Sequence, residues 1–364
     1  MYETRSVSSR EIRDGLLYCF FKKRPMFIWG PPGIGKSDVV QAVTTQLNGK
    51  MYDLRLSQIE PTDIRGVPFY NKKLGVMSWS PPEELPSEKD ASQYPIVVLF
   101  LDELNSATEN TQAATYQLIL NRRIGPYILP KNVVIVAAGN KESDRGVTYR
   151  MPSALANRFV HQEMRADFES WLVWAVNNKI HQDIIGFLSF SKKDLYDFDP
   201  KSGSKAFATP RSWTFVSQLL EDENMVTPGV LLNLIAGSIG EGLAIKFTAH
   251  RKVSSQLPKP EDILDGKVTD LLIKDISAMY SLVIAMCYEL KDRQDKGATE
   301  DKFITYIDNF FAYMMLNFET EIVVMGARTA LTTYDLKFQQ TKLKTFDEFH
   351  ERYGKYIVKA SQNA

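Results

Sequence analysis

Three uninterrupted apolar runs stand out early in the chain: Met26-Phe27-Ile28-Trp29, Ile96-Val97-Val98-Leu99-Phe100-Leu101 and Val133-Val134-Ile135-Val136-Ala137-Ala138-Gly139. A strand covered on one face alternates apolar and polar residues, whereas a strand covered on both faces reads as a continuous run. The three runs therefore predict central strands of a parallel sheet. Helical patterns lie between and around them. Ser8-Ser9-Arg10-Glu11 reads as a capping box and predicts a helix to about Lys22, and Ser37 to Leu47 reads as another. Strand and helix signals alternate to about Arg165, which predicts an α/β unit with helices on both faces of the sheet.

From Asp167 onward the strand signals vanish. Residues 166–255 read as short helices, one of them opened by Thr227-Pro228. Two longer helices follow. Leu272, Ile276, Met279, Val283, Met286 and Leu290 form one near-heptad stripe, and Ile304, Ile307, Phe311, Met314, Phe318, Ile322 and Met325 form the other. The plain expectation is an antiparallel hairpin burying its own stripes, with a partner-docking surface as the alternative. Asp308, Glu319 and Glu321 rule out a membrane hairpin. A last helix spans about Phe346 to Ala360. The expected division is 1–165, 166–255 and 256–364.

Two segments carry candidate chemistry. Gly30-Pro31-Pro32-Gly33-Ile34-Gly35-Lys36-Ser37 joins the first apolar run to a helix and fits the phosphate-loop spacing G-x-x-x-x-G-K-[ST]. Its glycines let backbone N–H groups turn inward toward phosphate oxygens, and the helix start adds positive charge. Lys36 would reach the β- and γ-phosphates of a nucleotide and the Ser37 hydroxyl would ligate Mg2+. An ordinary glycine turn is the alternative. The second apolar run ends in Asp102-Glu103. Asp102 would hold the metal beside Ser37, and Glu103 would orient and deprotonate the attacking water. The alternative is a carboxylate cap on the next helix. The third run ends in Asn140, either a turn former or an amide near the γ-phosphate.

The order of phosphate loop, Leu101-Asp102-Glu103, Ala138-Gly139-Asn140 and Pro152-Ser153-Ala154-Leu155-Ala156-Asn157-Arg158-Phe159 resembles AAA+ ATPases over about residues 1 to 250. The stretch Leu56-Ser57-Gln58-Ile59-Glu60-Pro61-Thr62-Asp63-Ile64-Arg65-Gly66 looks like the MoxR-like branch, which includes the CbbQ, NorQ and GvpN types within the helix-2-insert clade. The resemblance implies a P-loop core with a parallel five-stranded sheet, an all-α lid over residues 166–255 and a C-terminal helical extension. It implies ATP and Mg2+ as ligands and a homo-oligomeric, hexameric ring. Arg158 would be the arginine finger acting on a neighbour's ATP, with Arg145 and Arg150 as rivals. Arg211, in Ala208-Thr209-Pro210-Arg211, looks like the lid's sensor-2 arginine. Two segments would face a central pore. They are an insert from about Ile59 to Pro82 with a hairpin through Tyr70 and Trp79, and a hairpin from Arg123 to Pro130 carrying Tyr127. These aromatics would touch a substrate or pack against the core.

Charge and composition narrow the function. The 364 residues are 44% apolar and carry 44 Lys plus Arg against 44 Asp plus Glu. A nucleic-acid binder usually carries a basic excess, so this balance disfavours one. Cys19 and Cys287 lie among apolar residues and read as buried free thiols of a reducing cytoplasm. The four histidines have no ligand spacing. The start Met1-Tyr2-Glu3-Thr4-Arg5 is unlike a secretory leader, and no apolar run is long enough to span a membrane. The leading expectation is a ring ATPase that remodels or activates a partner protein, by resemblance one with a von Willebrand factor A domain. The alternatives are a nucleic-acid-associated motor or loader, and a nucleotide-gated scaffold with little turnover.

Overall fold

The computed structural model describes residues 5–80, 82–144, 149, 151–272 and 275–361, without the side chains of Glu142 and of residues 357–361. Arg145 and Arg150 lie outside the described residues. The chain forms two compact units. The first comprises Met1–Ser170 with Asp199–Gly203, and the second comprises Trp171–Phe198 with Ser204–Ala364. The segments 166–255 and 256–364 thus fall almost wholly within the second unit.

The strands of the first unit are β1 (Ser6–Val7), β2 (Met26–Trp29), β3 (Lys50–Arg55), β4 (Val67–Asn71), β5 (Val76–Ser80), β6 (Val97–Asp102), β7 (Arg123–Ile124), β8 (Tyr127–Ile128), β9 (Val133–Gly139) and β10 (Val160–Met164). Six of them make one parallel sheet in the order β1-β10-β2-β9-β6-β3. The apolar runs occupy its middle, and every residue of β6 and β9 is buried. The expected sheet of five strands is corrected to six. The sixth, β1, is two residues long with only Val7 buried, so it leaves no apolar run to detect. On one face Phe27, Leu99, Leu101 and Ile135 meet Leu118 and Ile119 of the helix Glu109–Asn121. Burying each such side chain stabilises the unit by about 1.5–3 kcal/mol.

Local caps set the element ends. Ser8 and Glu11 form the expected capping box, with the Glu11 N–H donating to Ser8 Oγ at 3.3 Å and the Ser8 N–H donating to Glu11 Oε2 at 2.8 Å. The helix Ser9–Lys22 ends at Lys23 in the left-handed conformation. Both expected hairpins are present, β4–β5 and β7–β8. Tyr127 packs against the core, and its hydroxyl donates to the Pro86 carbonyl at 2.7 Å.

The regular elements among the second unit's described residues are all helices. Thr209 and Thr227 cap the helices Pro210–Glu221 and Pro228–Ile239, each accepting an N–H three residues on. Two expectations need correction here. Leu272 is 93% exposed and precedes the helix, which runs Ile276–Asp295 from an Asp275 cap. The second stripe belongs to two helices, Glu300–Asn317 and Thr320–Arg328, separated at Phe318 in an extended conformation. Phe318 turns inward and meets the Tyr313 ring edge-on at 5.8 Å, so the stripe continues across a break in the backbone. The helix Ile276–Asp295 also lies against Gln182–Phe190 as well as its hairpin partner. A Cβ at Gly186 would come within 2.2 Å of Ser281 Oγ, so this crossing demands glycine.

Candidate active site

Parallel strands all deliver their C-terminal ends to one edge of the sheet, the usual place for a ligand in such folds. Here β2 runs into the glycine loop, β6 ends in Asp102 and β9 leads into Asn140. The loop after β2 wraps the head of Lys36. Its Nζ donates to the Gly30 carbonyl at 2.7 Å, to the Pro31 carbonyl at 3.0 Å and to Asn140 Oδ1 at 3.0 Å. Gly33 and Gly35 have φ of 75° and 90°, so the loop can curl at those points without a Cβ clash. Ile34 is buried and anchors the loop. The helix Lys36–Gln46 then starts at Gly35 without a side-chain cap. A helix start of this kind can donate N–H groups to an anion, with half-buried Ser37 in the first turn.

Asp102 is buried at the end of β6. Burial pushes its carboxyl above the usual range, and Lys36 opposes that shift. Such a carboxylate is short of positive charge, so the donor chemistry suits a cation. Glu103 is left-handed at φ 56°, and its N–H donates to Asp102 Oδ1 at 2.9 Å. The Glu103 carboxylate accepts a short hydrogen bond from Ser57 Oγ. Arg55 stands opposite Asp102 in the β3–β6 register and lies 4.0 Å from both acids.

Behind these groups, Asn105 Nδ2 donates to the Asn140 carbonyl at 2.7 Å and so fixes the turn that aims Asn140 at Lys36. Asn105 is buried, and its Oδ1 has no hydrogen-bond partner among the described residues. It sits so close to Gly139 that a Cβ there would come within 2.0 Å. Arg55 and Asn105 were not singled out from the sequence, and Ser57 and Gly139 stood there only as members of motifs, with no role of their own. Asn105 lies three residues past Asp102 and was legible as a polar neighbour of that motif. Arg55 and Ser57 depend on which strand pairs with β6.

The remaining candidates lie elsewhere. Arg158 is exposed just before β10, and no hydrogen bond or ion pair among the described residues joins it to the Lys36 cluster. It lies toward the opposite end of the sheet, since β10 begins there, with Val160 beside Met26. Arg211 is exposed in the first turn of Pro210–Glu221, in the second unit. His161 accepts from Trp29 Nε1 at 2.9 Å and pairs through Nε2 with the Ala156 carbonyl at 2.8 Å. A ring that accepts at Nδ1 must carry its proton on Nε2, so it clamps β2 to the segment before β10.

Comparison with known proteins bears on this arrangement. Residues 26–161 match the family described as "ATPase family associated with various cellular activities (AAA)". This segment is an AAA-family ATPase domain. Replication factor C subunit 2 of Saccharomyces cerevisiae is 30% identical over 93 residues, a match covering 24% of this chain and 26% of that protein. Among solved structures, a putative ATPase from Cytophaga hutchinsonii aligns at 13% identity over 98% of this chain and 89% of its own, with a TM-score of 0.38. NtrX from Brucella abortus aligns at 14% identity over 90% and 69%, with a TM-score of 0.41. The ATPase domain thus takes in the glycine loop, Asp102-Glu103, Asn140 and Arg158.

Proposed function

We propose that this chain is a ring-forming ATPase that uses hydrolysis between subunits to remodel a partner protein. The observation that carries the reading is the meeting of Lys36 Nζ with Asn140 Oδ1 beside the Asp102-Glu103 strand end, while Arg158 stays exposed toward the opposite end of the sheet. A triphosphate lying along the uncapped helix start would meet Lys36 at its outer phosphates. Mg2+, held by Ser37 and Asp102, would neutralise phosphate charge. Glu103 would take the proton of the attacking water, and Asn140 would hold that water in line. Arg158 of a neighbouring copy would offset charge developing on the transferred phosphoryl group. Arg211 would sense the nucleotide from a helical lid, residues 166–255, with residues 256–364 as an extension.

The resemblance to the MoxR-like branch supports a protein as the recipient of the work, with a von Willebrand factor A-domain protein as the expected class. A hexamer is the expected ring. The balanced charge supports this over a nucleic-acid track. Among the described residues no helix is long and apolar enough to cross a membrane. Phosphate release from Glu103→Gln against the unmodified chain tests the enzymatic step. A loss of about 100-fold or more is expected for removal of a general base, and equal rates would sink the reading.

A further inference from the structure

The β4–β5 hairpin exposes apolar side chains on both of its faces. In its register Pro68 faces Trp79 and Tyr70 faces Met77, which puts these four on one side. Val67, Phe69 and Val76 fall on the other side, among Asn71, Ser78 and Ser80. Tyr70 and Met77 are each 61% exposed, Val67 66% and Leu74, at the tip, 69%. A lone two-stranded ribbon gains little from such residues in water, and a contiguous exposed apolar patch marks an interaction site.

The hairpin is nonetheless built. Asn71 organises its tip, with its Oδ1 accepting the Lys73 and Leu74 N–H groups at 3.1 and 3.3 Å and its carbonyl accepting the Gly75 N–H at 2.9 Å. At the base the Arg65 guanidinium stacks over the Trp79 ring at 5.6 Å. Its charge is one-sided. Arg65, Lys72 and Lys73 are basic, and no acidic residue occurs from Ile64 to Ser80. Its edges also differ. Each strand has only the other as a neighbour. β4 contains Pro68, which lacks an N–H, whereas β5 contains no proline.

We infer that the outer edge of β5 receives an extended, acidic, apolar segment of a partner polypeptide as an added strand. Main-chain hydrogen bonds to β5 would hold the segment, Tyr70, Met77 and Val76 would cover its apolar side chains, and Lys72 and Lys73 would meet its carboxylates. The exposed apolar residues are mostly aliphatic, which suits side chains of a strand better than stacked bases. The inference rests on the reading of this chain as an ATPase acting on a protein, and it names the chemistry of that protein's contact segment.

The test uses the full chain with ATP and a short fluorescein-labelled peptide alternating glutamate and valine. Its lysine–valine counterpart and an oligothymidylate serve as rivals, all followed by fluorescence anisotropy. The glutamate peptide should bind. Tyr70→Ser with Met77→Ser should weaken it at least tenfold, and Lys72→Glu with Lys73→Glu should invert the preference toward the lysine peptide. Phosphate release without peptide should stay within about twofold in both variants, reporting that the ATPase domain is folded. Failure of the glutamate peptide to bind, equal binding by all variants, or preferential binding of the oligothymidylate would overturn the inference. So would a changed oligomeric mass in the variants, since the hairpin would then be covered by a second copy. Failure of the unmodified chain to bind the glutamate peptide while its phosphate release is intact counts against the hairpin inference alone. Peptide binding without phosphate release counts against the ATPase reading alone.

Discussion

In the proposed mechanism turnover depends on Glu103, and its surroundings say how it is held. Its carboxylate is engaged by the Ser57 hydroxyl and neighboured by Arg55. A hydrogen bond to a charged group is worth about 1.5–3 kcal/mol, and this one competes with water for the same oxygen. Ser57→Ala is therefore expected to raise basal phosphate release by roughly tenfold with nucleotide affinity unchanged, as read by steady-state kinetics beside a binding titration. A fall in rate would show that Ser57 aligns the base and does not restrain it. Gly139 makes a complementary case. A methyl group there would collide with Asn105 Oδ1. Gly139→Ala should cost about 1–3 kcal/mol as an overpacking change. It should also slow turnover by displacing Asn140, whose carbonyl Asn105 holds. Thermal unfolding and phosphate release would follow the two effects separately.

The helix Glu241–Ser254 meets Ile276–Asp295 through His250. Ser277 donates to Asp275 Oδ1 at 2.6 Å, so Ser277 accepts from His250 Nδ1 at 3.0 Å and His250 Nε2 accepts from Ser281 at 2.8 Å. Burial lowers the His250 pKa from 6.5, opposed by Asp183 and Asp275 and reinforced by Lys246. The unfolded chain therefore binds this proton more readily than the folded one. The corresponding stability is present above about pH 6.5 and is lost as pH falls through the lowered folded value. The melting temperature should drop on acidification from pH 7 to 5, and His250→Gln should flatten that dependence. An unchanged slope would assign the effect to other groups. At the crossing with Gln182–Phe190, Gly186→Ala would push a Cβ against Ser281 and should destabilise the second unit by about 1–3 kcal/mol in denaturant titration.

The proposed ring predicts behaviour that no single copy can show. If Arg158 acts on a neighbour, Arg158→Ala should lower turnover by about 10³-fold or more while leaving ATP binding nearly intact. Lys36→Ala should abolish binding in its own site. Mixed chains should regain activity, because an intact loop from one can face an intact arginine from the other. No recovery at any mixing ratio would remove Arg158 from the shared site. Specific activity should also rise with protein concentration as copies associate.

Much of this was open to reading from the residues in order. The apolar runs at Ile96–Leu101 and Val133–Gly139 are central strands because only burial on both faces tolerates such sequences. Lys36, Ser37, Asp102, Glu103 and Asn140 were legible because each follows such a run at a spacing that chemistry constrains. Tertiary structure decided the rest. β1 is too short to leave a pattern, and the break at Phe318 keeps its stripe in register, so neither disturbs the hydrophobic period. Arg55 and Ser57 reach Glu103 only because β3 pairs with β6, a long-range choice invisible to local spacing. Sequence by itself determined which residues carry charge and which apolar runs must be covered on both faces. Strand order determined which of them meet, because contact follows the sheet's register and not the chain's order.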